Sequence, residues 1–493
     1  MTEQQSPAPS IARVFAANAS QRRLVIHPRR PAADGMFNVL TRLRLTGPLD
    51  TDRLERALRR LADRHAVLRS TFALHGDQAV QIVHAEPHPD LFRMTDRHSL
   101  PAGTAGESPV DALAVRLQNT PLSLDHGPVF QCTLVRVTED EHELFLVVDH
   151  IVIDERSVGI LMKDVRAYYA DPDVELDPAP QLHEVPPRDE VSAEDLDYWT
   201  GRLTPLSPRP LPDVSLQQDP DAFTAGVVHF ALPADATAAL DRTAAAHRAT
   251  PFAVMLAVYY AVLWDWTGTA DTTMFVPTDT RSEEEHFDAV GFFQTATFMR
   301  YEVRPEESFA TLLDGVKRMA AAAHARRHVP MLHILDALGL DYGDLRHPVY
   351  QTGFTYAAGD IDNGWQLDGI RVENVLSYPV VARSSCCSRS CAPTTGTAAR
   401  SSTPSARSAP RPPRSSPAAT SPFSPPPPRT RPAPSPPDGP RRRGPRELRR
   451  AEGDVVRRAC STGASNDRQD CRSGNGERPA RPKPDGALGE TPV

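Results

Sequence analysis

Asp149, His150 and Asp154 lie in the stretch L-F-L-V-V-D-H-I-V-I-D-E-R-S, Leu144 to Ser157. An apolar run that ends in a histidine, with a carboxylate one turn later, can hold an imidazole for proton transfer, because histidine titrates near neutral pH. The same residues also fit a loop histidine and a capping aspartate after a core strand. Ser157 stands where a helical pattern begins and reads as its N-cap, with the helix amides able to face developing negative charge. Cys132 sits inside an apolar, strand-like run and reads as a core residue.

The elements that position these residues follow from periodicity. Phe37 to Leu45 reads as a strand ended by Gly47-Pro48, and Asp50 or Thr51 can cap a helix to about His65. That helix carries Leu54, Leu58, Leu61, His65 and Leu68 at helical spacing. Basic residues near its end, Arg64 and Arg69, suit the helix dipole. A hairpin-like pair surrounds His75-Gly76-Asp77, and Phe130 to Val137 and Glu143 to Val148 form two strands joined through acidic residues. A helix spans Val158 to Tyr169, and Asp171 to Arg188 is a Pro/Asp-rich linker. The second half begins with a short helix ending at Tyr198-Trp199. It continues with a strand at Val227 to Leu232, helices at Ala234 to His247 and Pro251 to Trp266, and a strand at Thr272 to Pro277 delivering T-D-T-R. Helices and strands alternate through both halves, so the class is α/β or mixed α+β.

Composition breaks near residue 382. Of the 493 residues, the last 112 hold one aromatic (Phe423), no Ile, 21 of the 49 prolines and five of the six cysteines. This tail carries 21 Lys and Arg against 9 Asp and Glu, whereas the body carries 34 against 54. An acidic body argues against a nucleic-acid groove, and the tail cysteines lack metal spacing. The N-terminus has no charged-then-apolar signal region and no run of eighteen apolar residues occurs, so a cytoplasmic protein with no membrane contact is expected.

Taken in order, several motifs resemble the condensation domain of nonribosomal peptide synthetases, within the HxxxD acyltransferase superfamily. A-S-Q-R-R-L is similar to the family's opening signature, and R-H-A-V-L-R-S-T-F, Arg64 to Phe72, to its R-H-E-x-L-R-T-x-F segment. Asp149 to Glu155 stands where H-H-x-x-x-D-G belongs, and Tyr198-Trp199 where the family has its Y-W pair. Val290 to Arg300, His328-Val329-Pro330 and Arg346 to Phe354 resemble three later motifs.

The resemblance implies two chloramphenicol-acetyltransferase-like lobes forming a V-shaped pseudo-dimer, residues 1–175 and 176–381, the second incomplete, followed by a disordered tail, 382–493. It implies transfer of an acyl or aminoacyl group from a carrier-bound thioester to an amine or hydroxyl. His150 is the implied catalytic residue. Asp154 is implied to be a structural partner of an arginine from the other lobe, for which Arg281 is the candidate, and Ser157 supports the same loop. Substrates are expected on phosphopantetheine arms of peptidyl or acyl carrier proteins acting in trans, since no carrier motif of the G-G-x-S type is present. No bound cofactor or metal is expected, and the chain is expected to be monomeric. A free-standing O-acyltransferase on a small alcohol and a catalytically silent protein are the alternatives.

The chain departs from the family pattern at Asp149 for histidine, Glu155 for glycine, and Gln294-Thr295-Ala296 for V-N-T. In the tail, Cys391 to Pro404, C-A-P-T-T-G-T-A-A-R-S-S-T-P, can be read one base out of frame as L-R-A-D-D-G-Y-R-G-S-L-E-Y-S, which resembles the family's next segment. A frameshift near Ala382 to Ser385 is therefore expected.

Overall fold

The computed structural model describes residues 10–404 except 27–33, 77, 104–106, 186–190, 208–224, 282, 342–346, 348, 350–351, 359–364, 376–385 and 393–397. Arg346, the expected frameshift position and residues 405–493 lie outside the described residues.

The first half runs β1 (Ile11–Ala16), α1 (Ala19–Ile26), β2 (Asn38–Thr46), α2 (Thr51–Arg64), β3 (Ser70–His75), β4 (Gln78–His84), β5 (Phe92–Asp96), α3 (Pro109–Asn119), β6 (Phe130–Arg136), β7 (Glu141–Asp149) and α4 (Glu155–Ala170). The second runs α5 (Ala193–Leu203), β8 (Ala225–Ala231), α6 (Ala234–Ala246), α7 (Pro251–Thr267), β9 (Asp271–Asp279), β10 (Gln294–Glu302), α8 (Phe309–Ala325), α9 (Met331–Ala337), β11 (Thr352–Ala358), β12 (Arg371–Asn374), β13 (Cys386–Ala392) and β14 (Ala398–Pro404).

α2 shows why the local elements form. Asp50 caps it by accepting from the Arg53 amide, and Leu54, Leu58 and Leu61 bury one stripe against the first core. Arg64 has a more specific role than its helix dipole required. Its Nε donates to Asp164 Oδ2 at 2.9 Å, and His65 Nε2 meets the same oxygen at 2.8 Å, joining α2 to α4. β7 is covered on both faces, so its residues read as a nearly unbroken apolar run. It pairs antiparallel with β2 and β6, which aims its C-terminal end, Asp149, at the loop carrying His150.

Among the described residues three sheets result: β1-β4-β3, the five-stranded β12-β2-β7-β6-β5, and the six-stranded β10-β9-β11-β13-β14-β8. The division at residue 176 does not hold for the segment around β12. That strand comes from the second half but pairs with β2, from Arg371 opposite Thr46 to Asn374 opposite Leu43. Trp365, Leu367 and Ile370 enter the first core with it. The physical reason is that β2 would otherwise be an open edge of the first sheet. β13 and β14 lie within the stretch that composition assigns to the tail, yet they occupy the six-stranded sheet between β11 and β8.

Candidate active site

Past the end of β7 the chain makes a short turn, His150–Val152, before α4. Asp149 is fully buried, and its carboxylate accepts from the Ile151 amide at 3.0 Å, which shapes that turn. This explains how the chain accommodates aspartate where the family pattern has histidine: the residue serves the backbone.

His150 is half-buried, and its Nδ1 lies 2.7 Å from the Ile153 carbonyl oxygen. A carbonyl only accepts, so Nδ1 carries the proton and the neutral imidazole presents a lone pair at Nε2. Among the described residues Nε2 has no hydrogen-bond partner. The ring packs edge-on against Phe292 with centroids 4.9 Å apart. Burial pushes the imidazole below its ordinary titration range, opposed by the Ile153 bond and the charge of Asp154, while Arg23 adds to the lowering.

Asp154 turns away from that imidazole. It is the true N-cap of α4, accepting from the Ser157 amide at 2.9 Å. Ser157 is therefore not the cap but the third residue of the helix, a shift that arises because Asp154 fulfils the same role three positions earlier. The Asp154 carboxylate also receives Arg281 in a two-pronged contact, Nη1 to Oδ2 at 2.7 Å and Nη2 to Oδ1 at 3.1 Å. The Phe293 amide donates to Oδ2 at 3.1 Å. Arg281 is fixed further by Asp279, by the Ala289 carbonyl at 2.9 Å, and by the Phe293 ring 4.0 Å from its guanidinium carbon.

Ser157 completes this buried knot. Its hydroxyl has one proton, which goes to Asp154 Oδ1 at 2.7 Å, and its oxygen then accepts from the Gly291 amide at 3.0 Å and Arg281 Nη2 at 3.2 Å. A Cβ at Gly291 would lie 2.8 Å from Leu182 Cδ1, so a side chain there would require that leucine to shift. Asp154, Arg281 and Ser157 thus lock the turn of His150 to the residues preceding β10.

Glu155 opens α4, where an anion suits the helix dipole. Thr295 accepts the Met331 amide at 3.3 Å, and His328 meets Asp195 at 3.1 Å, so both brace the second half. Cys132 is fully buried and its thiol is pushed well up by burial, unsuited to nucleophilic work.

Three contributors were not foreseen from sequence: the Ile153 carbonyl, the Phe292 ring, and α1. The last left a signal, since Asn18-Ala19-Ser20-Gln21 has the N-x-x-Q form of a capping box. No group of three or more His, Cys, Asp or Glu among the described residues is placed to hold a metal ion. No single helix among them is long and apolar enough to cross a membrane.

The family model for the Condensation domain matches residues 11–379. The chain belongs to the condensation-domain family. Among curated proteins it is 32% identical over 357 residues to phosphinothricin tripeptide synthetase PhsC of Streptomyces viridochromogenes, covering 68% of this chain and 31% of the relative. It is 28% identical over 349 residues to enniatin synthetase of Fusarium oxysporum, covering 68% and 11%. The chain thus spans less than a third of either relative. Among solved structures, the condensation domain from the Monacolin K polyketide synthase MokA aligns with a TM-score of 0.68 at 20% identity, covering 80% of this chain and 93% of that one. The X-domain from teicoplanin biosynthesis aligns at 0.65 and 21% identity, covering 79% and 89%. At these identities the likeness is one of fold, the chloramphenicol-acetyltransferase-like arrangement of mixed helix and sheet.

Proposed function

We propose that this condensation domain joins a carrier-bound acyl or aminoacyl thioester to an amine or hydroxyl acceptor, with His150 as general base or acceptor-positioning group. The observation that carries the reading is the imidazole held by Ile153, which leaves Nε2 as the acceptor of a proton. In the reaction, the acceptor nitrogen or oxygen adds to the thioester carbonyl while its proton passes to or is held by Nε2. Collapse of the tetrahedral species breaks the C–S bond, and the departing pantetheine thiolate regains a proton. Asp154, Arg281 and Ser157 take no part in bond making and keep His150 in register.

On this reading the two lobes, 1–175 and 176–381 with the β12 segment exchanged, act as a monomer in the cytoplasm. They receive both substrates on phosphopantetheine arms of carrier proteins in trans. Offering the same acyl group as a carrier-bound thioester and as a small-molecule thioester, each with a carrier-bound amine or a free alcohol, tests it. Product from the carrier-bound pair supports the proposal. Product only with free alcohols favours an O-acyltransferase, and no product with any pair favours a silent protein, the reading to which the unusual composition after residue 381 points.

The pH dependence is a further expectation. The working form is the neutral imidazole, and burial lowers its pKa, so turnover falls only as pH drops below the ordinary value near 6.5. A kcat profile with its acid inflection under 6.5 agrees with this, and an inflection at or above it does not.

A further inference from the structure

We infer that the Asn18–Gln21 capping box at the start of α1 is a positioning device for His150. The inference rests on the role proposed for that residue. Asn18 and Gln21 bond reciprocally: the Gln21 amide donates to Asn18 Oδ1 at 2.7 Å, and the Asn18 amide to Gln21 Oε1 at 3.1 Å. A capping box needs only those side-chain oxygens. Both residues are amides, and their remaining NH2 groups reach outward in different directions. Gln21 Nε2 donates to the Ile151 carbonyl at 3.2 Å, inside the turn that carries His150. Asn18 Nδ2 donates to the Phe292 carbonyl at 3.2 Å, in the second half of the chain. The turn and Phe292 are also what flank the imidazole, through the Ile153 carbonyl and the aromatic edge. One helix cap therefore fixes both surroundings of the ring, and Gln21 is almost fully buried in doing so. An ordinary cap would be served as well by Ser, Asp or Glu, so the amide nitrogens are the informative atoms.

The test separates capping from positioning. Asn18→Ser keeps a capping oxygen and is expected to fold, but it loses the donor to Phe292. Gln21→Glu keeps the oxygen for the Asn18 amide and loses the donor to Ile151. Each is compared with wild type and His150→Ala for kcat, KM and the kcat–pH profile. A second readout, independent of turnover, is the rate at which diethyl pyrocarbonate acylates the His150 imidazole, followed by peptide mass spectrometry. The expected result is a roughly 10- to 100-fold fall in kcat with KM near wild type, a displaced acid inflection, and an altered acylation rate. Folded Asn18→Ser protein with wild-type profile and acylation rate overturns the inference. Failure of the function proposal itself shows differently, as His150→Ala retaining full turnover while the acylation rates of the amide variants still change.

A second inference stands on independent observations. We infer that the codons for Cys386–Pro404 contain, one base upstream, the hairpin that belongs between β11 and β8. The sheet places β13 parallel to β11 and antiparallel to β14, which pairs with β8. Five residues, Pro393 to Thr397, connect the two strands, a hairpin-length link. Yet the strand sequences are C-C-S-R-S-C-A and A-A-R-S-S-T-P, poor in β-branched and aromatic residues.

The genetic code restricts the shifted reading. Cysteine codons begin TG, so one base earlier each reads as leucine, methionine or valine, which makes Cys386, Cys387 and Cys391 apolar. Threonine codons become tyrosine, histidine, asparagine or aspartate, and the glycine codon becomes tryptophan, arginine or glycine. Thr394-Thr395-Gly396 can thus read D-D-G, a strong hairpin signal falling within the link between the two strands.

Sequencing this region from independent DNA preparations, then expressing a version with the frame corrected upstream of Cys386, tests the idea. The expected shifted frame is open through 404, and the corrected protein melts at least about 5 °C higher. A stop codon within that shifted frame, or a corrected protein no more stable than the natural chain, overturns it.

Discussion

His150→Ala is expected to lower turnover by about 10²- to 10⁴-fold, the range associated with loss of a positioned acid–base group. The side chain lies at the surface of the first core, and the backbone around it is fixed by other residues: Asp149 holds the Ile151 amide, and Asp154 caps α4. The unfolding midpoint should therefore correspond to a stability change within about 1 kcal/mol of wild type. If His150 instead only orients the acceptor, the loss falls toward the lower end of the range, and a bulky acceptor that orients itself recovers part of it. Denaturant titration alongside single-turnover rates checks both parts.

Arg281→Ala is expected to be the most destabilising single change, at roughly 3–5 kcal/mol, because it strands the buried Asp154 carboxylate. The pair is almost inaccessible to solvent on both sides, and its geometry matches the planar fork of a guanidinium. Arg281→Lys should recover little, since a single ammonium cannot span both carboxylate oxygens and the Ala289 carbonyl. The double variant Asp154→Leu with Arg281→Met should be more stable than Arg281→Ala alone, because no charge is left buried without its mate. Its turnover should nonetheless stay low, since the turn of His150 loses its connection to the Phe293 amide. Urea unfolding of the three variants, with rates measured on the folded fraction, decides the matter.

Local signals carried much of the architecture. The apolar run Leu144 to Val148 announced a buried strand, and Asp50 followed by helical leucines announced α2. What sequence left open was decided by distant partners. Ser157 and Asp154 both qualify as helix caps by type, and only the need for Asp154 to meet Arg281, 127 residues away, selects between them. β12 has four residues and alternating exposure, so nothing local marks it as the edge of a sheet whose neighbouring strand begins at Asn38. The same holds for α1: its capping box was readable, whereas the use of the spare amides required Ile151 and Phe292 to be in place. The strands at 386–404 left no local signal either, because Cys, Ser and Arg carry little β-propensity.

Bond formation that depends on His150 can be followed by intact-protein mass spectrometry of the acceptor carrier. A donor carrier bearing an acyl-pantetheine thioester is mixed with an acceptor carrier bearing an aminoacyl-pantetheine, with wild-type protein, His150→Ala, or none. The acceptor carrier should gain the mass of the acyl group with wild type, and only at background level in the other two mixtures. Equal gain with wild type and His150→Ala would contradict a role for the imidazole in the reaction.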